Sequence, residues 1–319
     1  MKSNTGPGGQ EVLGIESVSR RYGRVQALSS VTMSIRRGEI YALIGRNGSG
    51  KSTLLRCAAM LTRPDSGGIR YFGGSTGHRN LFNRIGVLFP VCAHYDRLSG
   101  YENAWFFARS YGLASDHARE RLDWFFNWAA LDARRDDPVE GYSYGMRRKL
   151  AIIEAFVHDP DLLLLDEPSM GLDYDARLRL FDLIREVAGE GAGVLLATND
   201  INEAANVATR CGILAGGRLV AEGTPDDLIA ALGGNTRIDL FLAVPVRLDR
   251  LRRLPGIERV DITGTDEGFA LSILAKPGAD ILGRSISALV EEGGVVISAA
   301  VQEPDLGDVV SWYDEGGGR

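Results

Sequence analysis

Residues 40–52 read IYALIGRNGSGKS. Five apolar residues without alternation run into a glycine-rich turn, and the turn runs into a helical pattern, KSTLLRCAAML (51–61). A short apolar run lacking a period of two suits a strand buried on both faces of a parallel sheet. Within the turn, GRNGSGKS (45–52) fits G-x-x-x-x-G-K-[ST], in the strand-before, helix-after context that gives this pattern its meaning. Gly45, Gly48 and Gly50 let the backbone N–H groups of this loop turn inward on phosphate oxygens, and the helix N-terminus adds its positive dipole end. The expected phosphate cradle is Gly45, Arg46, Asn47, Gly48, Ser49, Gly50 and Thr53, with Lys51 reaching the β- and γ-phosphates and the Ser52 hydroxyl on Mg2+. A plain glycine-rich turn with one lysine is the bland alternative, and the flanking strand and helix argue against it.

A second apolar run, DLLLLDEP (161–168), ends in two adjacent carboxylates. Asp166 is placed to hold Mg2+ through water, and Glu167 to face an attacking water as general base or orienter. Phosphoryl transfer needs this pairing of charge neutralisation with a positioned nucleophile. By itself the pair also reads as a strand-end acidic turn closed by Pro168; the phosphate loop upstream favours the chemical reading. A third apolar run, GVLLA (193–197), leads through ATNDINEA (197–204) into a helical pattern and puts Asn199 at the strand's mouth.

The bulk composition is ordinary for a globular chain of 319 residues, with 45% hydrophobic and 24% charged side chains, enough for one large domain and a smaller one. The net charge of −6 does not favour a nucleic-acid partner, and none is expected. Cys57, Cys92 and Cys211 are odd in number and in no metal-ligand spacing, which suits a reduced cytosolic protein. MKSNTGPGGQ (1–10) has no apolar core of a secretory signal and reads as a disordered tail. No run approaches the roughly 20 apolar residues that span a bilayer, so membrane work would need another chain.

From 11 to 234 strands and helices alternate with Gly-rich turns, predicting an α/β core with a mainly parallel sheet. At about 78–141 the character changes: YENAWFFARSYGL (101–113) and SDHARERLDWFFNWAAL (115–131) predict two amphipathic helices inserted into that core. Tyr101, Trp105, Phe106, Trp124, Phe125, Phe126 and Trp128 crowd there, most of them expected as core. A small α+β domain is expected over 235–319, with strands at 238–244, 257–263, 268–275 and 294–301 and helices at 246–253, 279–292 and 305–313.

The segment YSYGMRRKLAIIEAFVHDPDLLLLDEPSMGLD (142–173) resembles the ATP-binding subunits of ABC transporters, and with the phosphate loop and ATNDINEA the resemblance covers roughly residues 12–232. It implies a phosphate-loop NTPase cassette that binds ATP with Mg2+ and hydrolyses it. It also implies a head-to-tail pair with a second ATP-binding subunit, identical or different, and a transmembrane permease subunit at the cytoplasmic face of the membrane. In such a pair Ser143 and Gly145 contact the γ-phosphate held by the opposing subunit, Gly171, Leu172 and Asp173 run along the seam, and Tyr22 stacks on adenine. The C-terminal unit and QEPDLGDVVSW (302–312) resemble the extension of bacterial drug-export subunits of the daunorubicin-resistance type, which points to export; a dimerisation or regulatory domain is the alternative. A low-turnover ATP-binding regulatory module and a non-transport ABC ATPase are the competing functions. Ribosome-acting members usually carry two cassettes in one chain, and DNA-organising members very long coiled coils; neither feature is in this sequence.

Three positions depart from the family pattern. Pro90 stands where a glutamine is usual, so the side-chain oxygen that would report on Mg2+ and on the membrane partner is absent or displaced. Tyr144 holds the signature's second glycine position. Asn199 replaces a histidine that bonds the γ-phosphate; its amide donates a hydrogen bond but never carries positive charge. These changes predict normal Mg-ATP binding with slow hydrolysis, or pairing with a more complete cassette. The alternative for Asn199 is plain turn chemistry at the start of the next helix.

Overall fold

The structure is a computed structural model and describes residues 9–74, 81–91, 93–232, 236–276 and 280–314. Residues 1–8, most of the expected tail, and Cys92 lie outside the described residues. The chain forms two compact units, Met1–Glu222 and Gly223–Arg319. Among the described residues no helix is long and apolar enough to cross a membrane.

The first unit opens with β1 (Glu11–Tyr22) and β2 (Val25–Arg36), paired antiparallel across a tight turn at Gly23, whose φ of 58° a glycine adopts without strain. Then come β3 (Ile40–Ile44), α1 (Lys51–Ala58), β4 (Ser66–Tyr71) and β5 (Ile85–Leu88). β4 joins the other edge of β1, so β2-β1-β4 is a separate antiparallel sheet. The strand–helix alternation did not disclose it. The β1–β2 pair is local and needs no crossover helix, so its only marker is the short turn.

After β5 come α2 (Gly100–Ser110), α3 (Ser115–Trp128), α4 (Tyr144–Phe156), β6 (Leu162–Asp166), α5 (Tyr174–Gly189), β7 (Gly193–Thr198), α6 (Ile201–Val207), β8 (Arg210–Ala215) and β9 (Arg218–Gly223). Six strands form the main sheet in the order β5-β6-β7-β3-β8-β9. The pairs β5–β6, β6–β7, β7–β3 and β3–β8 are all parallel.

The missing period of two in the apolar runs now has its cause. Leu162 and Leu164 of β6 pack with Leu54, Leu55 and the antiparallel sheet, while Leu163 and Leu165 pack with α4 and α5 on the opposite face. β7 divides the same way, Leu195 and Ala197 to one side, Val194 and Leu196 to the other. Every residue of β3, β6 and β7 is buried.

The two expected amphipathic helices are α2 and α3. Ser99 and Glu102 close a reciprocal cap on α2, satisfying two backbone donors at its start. Phe125 and Phe126 are buried, Tyr101 and Trp105 stack at 6.1 Å, and Phe106 and Trp124 stand 46% and 47% exposed.

The second unit starts with α7 (Pro225–Ala230), followed by β10 (Thr236–Leu242), α8 (Asp249–Arg252), β11 (Ile257–Thr265), β12 (Gly268–Ala275), α9 (Ile281–Glu291), β13 (Val296–Gln302) and α10 (Leu306–Asp314). Its sheet is antiparallel, in the order β11-β12-β10-β13. Ile238, Leu240 and Leu242 alternate inward from β10 and meet Leu271, Ile273 and Leu289.

Leu164→Ala removes a side chain with no exposed surface from β6 of the main sheet. It should cost about 2–5 kcal/mol of unfolding free energy. Leu178→Ala, at a position 45% exposed, should stay within about 0.5 kcal/mol. Urea titration of both variants checks the contrast.

Candidate active site

Parallel register brings the predicted residues together. Ile44, the last residue of β3, pairs with Thr198 of β7, and Asp166, the last of β6, pairs with Ala197. The three strands therefore finish on one edge, and the glycine-rich loop, the carboxylate pair and Asn199 all emerge there. Ligands of open parallel sheets bind beyond these carboxyl ends.

Two of the loop's glycines have no room for a side chain. A methyl group on Gly45 would collide with the Leu214 carbonyl and the Ser49 hydroxyl, and one on Gly50, at φ 112°, with the Ala27 carbonyl. Gly50 is also the N-cap of α1, with no side chain bonded to the helix's first N–H groups and no acid in its first turn. That leaves the positive end of the helix for an anion. Arg46, Asn47 and Gly48 are exposed, as is Ser52; Thr53 is half-buried on the first turn of α1. Lys51 is 5% exposed, its Nζ donating to the Gly45 carbonyl at 2.6 Å and the Arg46 carbonyl at 3.3 Å.

Asp166 is buried, with the Ser52 hydroxyl close enough to draw its carboxyl down. Burial pushes its carboxyl above the usual range, against the pull of Ser52, Lys51, Arg56 and Arg148. Its Oδ1 is buried and has no hydrogen-bond partner among the described residues. Two hard oxygen donors side by side, one with spare capacity, fit a hard divalent cation such as Mg2+.

Glu167 has φ 46°, in the left-handed region that non-glycine residues rarely occupy. Its N–H donates to the Ala197 carbonyl at 2.8 Å. The Asn199 N–H donates to Glu167 Oε1 at 3.0 Å, and the Asn199 side-chain amide donates to Asn47 Oδ1 at 3.2 Å. Asn199 thus touches both the phosphate loop and the second carboxylate. Turn chemistry is present as well, but it belongs to Asp200, whose carboxylate caps α6 through the Asn202 and Glu203 N–H groups. Burial raises the Glu167 carboxyl, opposed by Lys51 and the Asn199 N–H and reinforced by Asp166.

The other predicted residues lie apart. Ser143 caps α4, accepting from the Met146 N–H at 3.2 Å. Asp173 caps α5, accepting from the Ala176 N–H at 2.8 Å; that bond, more than Lys149 at 3.8 Å, keeps its carboxyl below the usual range. The Tyr144 ring answers the question of space beside Gly145. It lies over the backbone of Gly171, where a methyl group would strike it, and is 52% exposed. Ser143, Gly145 and Asp173 so form a second cluster on the same chain. Tyr22 ends β1 with its ring 44% exposed and the Arg20 guanidinium 4.8 Å from its centroid.

Two site residues escaped the sequence reading. Arg148 has no place in any of the motifs, yet it is fully buried behind Asp166 and Glu167. Glu203, of the NEA triplet, is 2% exposed and accepts from the hydroxyls of Ser169 and Thr198, the latter at 2.7 Å. Burial, with Asp200 and Glu167 nearby, pushes its carboxyl up to about 7 despite Thr198. Its helical spacing with Ala204 and Val207 was the available signal.

The chain matches the family described as ABC transporter over residues 28–170. It is 33% identical over 300 residues to the daunorubicin resistance ATP-binding protein DrrA3 of Streptomyces coeruleorubidus, covering 92% of this chain and 93% of that one. It is 33% identical over 264 residues to the Nod factor export ATP-binding protein I of Ralstonia nicotianae, covering 81% of each. Among solved structures, one described as an ATP binding subunit of an ABC transporter superposes with a TM-score of 0.66 at 32% identity, covering 70% of this chain and 93% of that one.

Glu203 gives a pH prediction. Its folded-state carboxyl is raised, so between pH 4.5 and about 7 the native state holds a proton that the unfolded state has lost. Stability is therefore lost as pH rises through that window. In urea unfolding at pH 5 and pH 8, Glu203→Gln should fall less than the wild type, by on the order of 2 kcal/mol.

Proposed function

The chain belongs to the ATP-binding subunits of ABC transporters, and on that footing we propose that it binds Mg-ATP at the phosphate loop and hydrolyses it to drive export of a small molecule through a separate transmembrane partner. The observation that carries the reading is the shared strand edge: Asn199 bonded to both Asn47 and Glu167, with Lys51 and Asp166 alongside.

Each residue has a role set by its chemistry. Loop N–H groups and the α1 terminus receive phosphate oxygens, and Lys51 leaves loop carbonyls for the β/γ-phosphates. Ser52 and Asp166 would hold Mg2+, which when bound neutralises phosphate charge. Glu167 orients the attacking water and accepts its proton; a raised carboxyl suits a base. Asn199 fixes Glu167 through its N–H and offers its amide to the γ-phosphate. Tyr22 is assigned to the adenine ring.

Ser143, Gly145 and Asp173 act on the nucleotide of a second ATP-binding subunit, identical or different. This explains why one chain carries two separate clusters. The exposed rings of Phe106 and Tyr95, 5.3 Å apart, belong to the face offered to the permease at the cytoplasmic side of the membrane. Export is favoured because the resistance and Nod-factor export relatives are similar over most of this chain, well beyond the cassette for DrrA3.

ATP turnover tests the assignment. Glu167→Gln should lower steady-state turnover by about 10²–10³-fold while nucleotide binding persists. Lys51→Ala should weaken nucleotide binding itself. Asn199→His should raise turnover, since an imidazole adds a stronger γ-phosphate donor; a neutral or damaging result would return Asn199 to a purely structural part. An undiminished rate in Glu167→Gln would remove that residue from the chemistry.

A further inference from the structure

Pro90 leaves the loop after β5 without a polar side chain where ABC cassettes usually have one, so something else must join that loop to the nucleotide edge. The structure offers one group that touches both. Arg148, on the first turns of α4, is 1% exposed. Its Nη1 donates to the Phe89 carbonyl at 2.5 Å, immediately before Pro90. Its Nη2 donates to the carbonyls of Glu167 at 2.6 Å and Asp166 at 3.1 Å, and its Nε to that of Pro168 at 3.1 Å. One planar guanidinium therefore ties the exit of β5 to the exit of β6, from the helix that Ser143 opens.

The bond to Glu167 has a particular target. Glu167 sits at φ 46°, a conformation that costs a non-glycine residue free energy and must be held by its surroundings. Its N–H is fixed by Ala197 and its carbonyl by Arg148 and the Met170 N–H. Rotating that carbonyl would swing the side chain away from Asn199. The loop is fastened to the same helix further along: Arg147 pairs with Asp96 at 2.7 Å, and His94 bridges Glu154 at 3.2 Å and the Arg147 carbonyl at 3.1 Å.

We infer that Arg148 is the positioning residue that sets Glu167 and joins it to the loop after Phe89, doing the joining that no side chain at position 90 does in this chain. The inference rests on Glu167 orienting the attacking water. A lysine cannot replace the arginine, because a single ammonium lacks the planar fork that spans both strand exits.

The test measures turnover, the KM for ATP and thermal melting of full-length wild type, R148K, P90Q, R148K/P90Q and E167Q. R148K should lower kcat by about 10–10²-fold through misplacement of Glu167. Its KM for ATP should stay within about twofold, the pattern of a lost transition-state contact. P90Q should raise kcat by a larger factor in R148K than in the wild type, because only in R148K does the new amide replace a link that Arg148 otherwise supplies. Unchanged kcat in R148K beside an inactive E167Q overturns the inference and leaves the role of Glu167 standing; an active E167Q overturns both. P90Q raising kcat equally in both backgrounds, or in neither, also overturns it. Should R148K fail to fold, hydrogen exchange decides: Mg-ATP added to E167Q should protect peptides covering 93–98 and 166–170 together, and protection confined to 166–170 overturns the inference.

Discussion

Everything chemical in this protein depends on the parallel register of β3, β6 and β7. Ile44 pairs with Thr198 and Asp166 with Ala197, so three strand ends share one edge. A slip of one residue would turn each strand's side chains to the opposite face. Here that would exchange Leu164 for Leu163 between two different packed layers. The register is thus held by side-chain fit on both faces, and the proposed site at the strand edge inherits its order from the core.

That same burial sets the electrostatics. Asp166 and Glu167 are adjacent carboxylates pulled out of water, and both are raised for that reason first. Lys51 opposes the shift at each, the Ser52 hydroxyl draws Asp166 down, and the Asn199 N–H bonds Glu167. Glu203 lies behind them with its own raised carboxyl, sharing the Thr198 hydroxyl. The edge is a negative cluster compensated mainly from the phosphate loop. Such a cluster is ready for a cation, and its burial lifts Glu167 above the usual carboxylate range.

How much of this could be read from the sequence follows from the range of each signal. The buried strands, the glycine loop and the acidic pair are local patterns, and each carries its mechanism in its own residues. The C-terminal order of strands and helices was also local, because β10 alternates on one buried face. The antiparallel sheet β2-β1-β4 was hidden because β4 is distant in sequence and reads as a loop, SGGIRY. Arg148 was hidden for the opposite reason. Its partners are backbone carbonyls of residues 89 and 166–168, which have no sequence signature, and a run of three basic residues looks like a solvated face. Tyr144 was visible as an oddity, but only packing over Gly171 showed where its ring goes.

The three positions named as departures all lie at the ends of elements. Pro90 is at a strand exit, Tyr144 at a helix start, and Asn199 at a strand exit, and none lies in the hydrophobic core. Substitutions there leave the packing that fixes the register intact. They bear on what the surface presents to nucleotide or neighbour: a proline at 90, an exposed phenol set against Gly171, a neutral amide donor at 199. A fold whose rigidity comes from two buried faces tolerates such changes at its rim. The cassette itself stays recognisable at about a third identity.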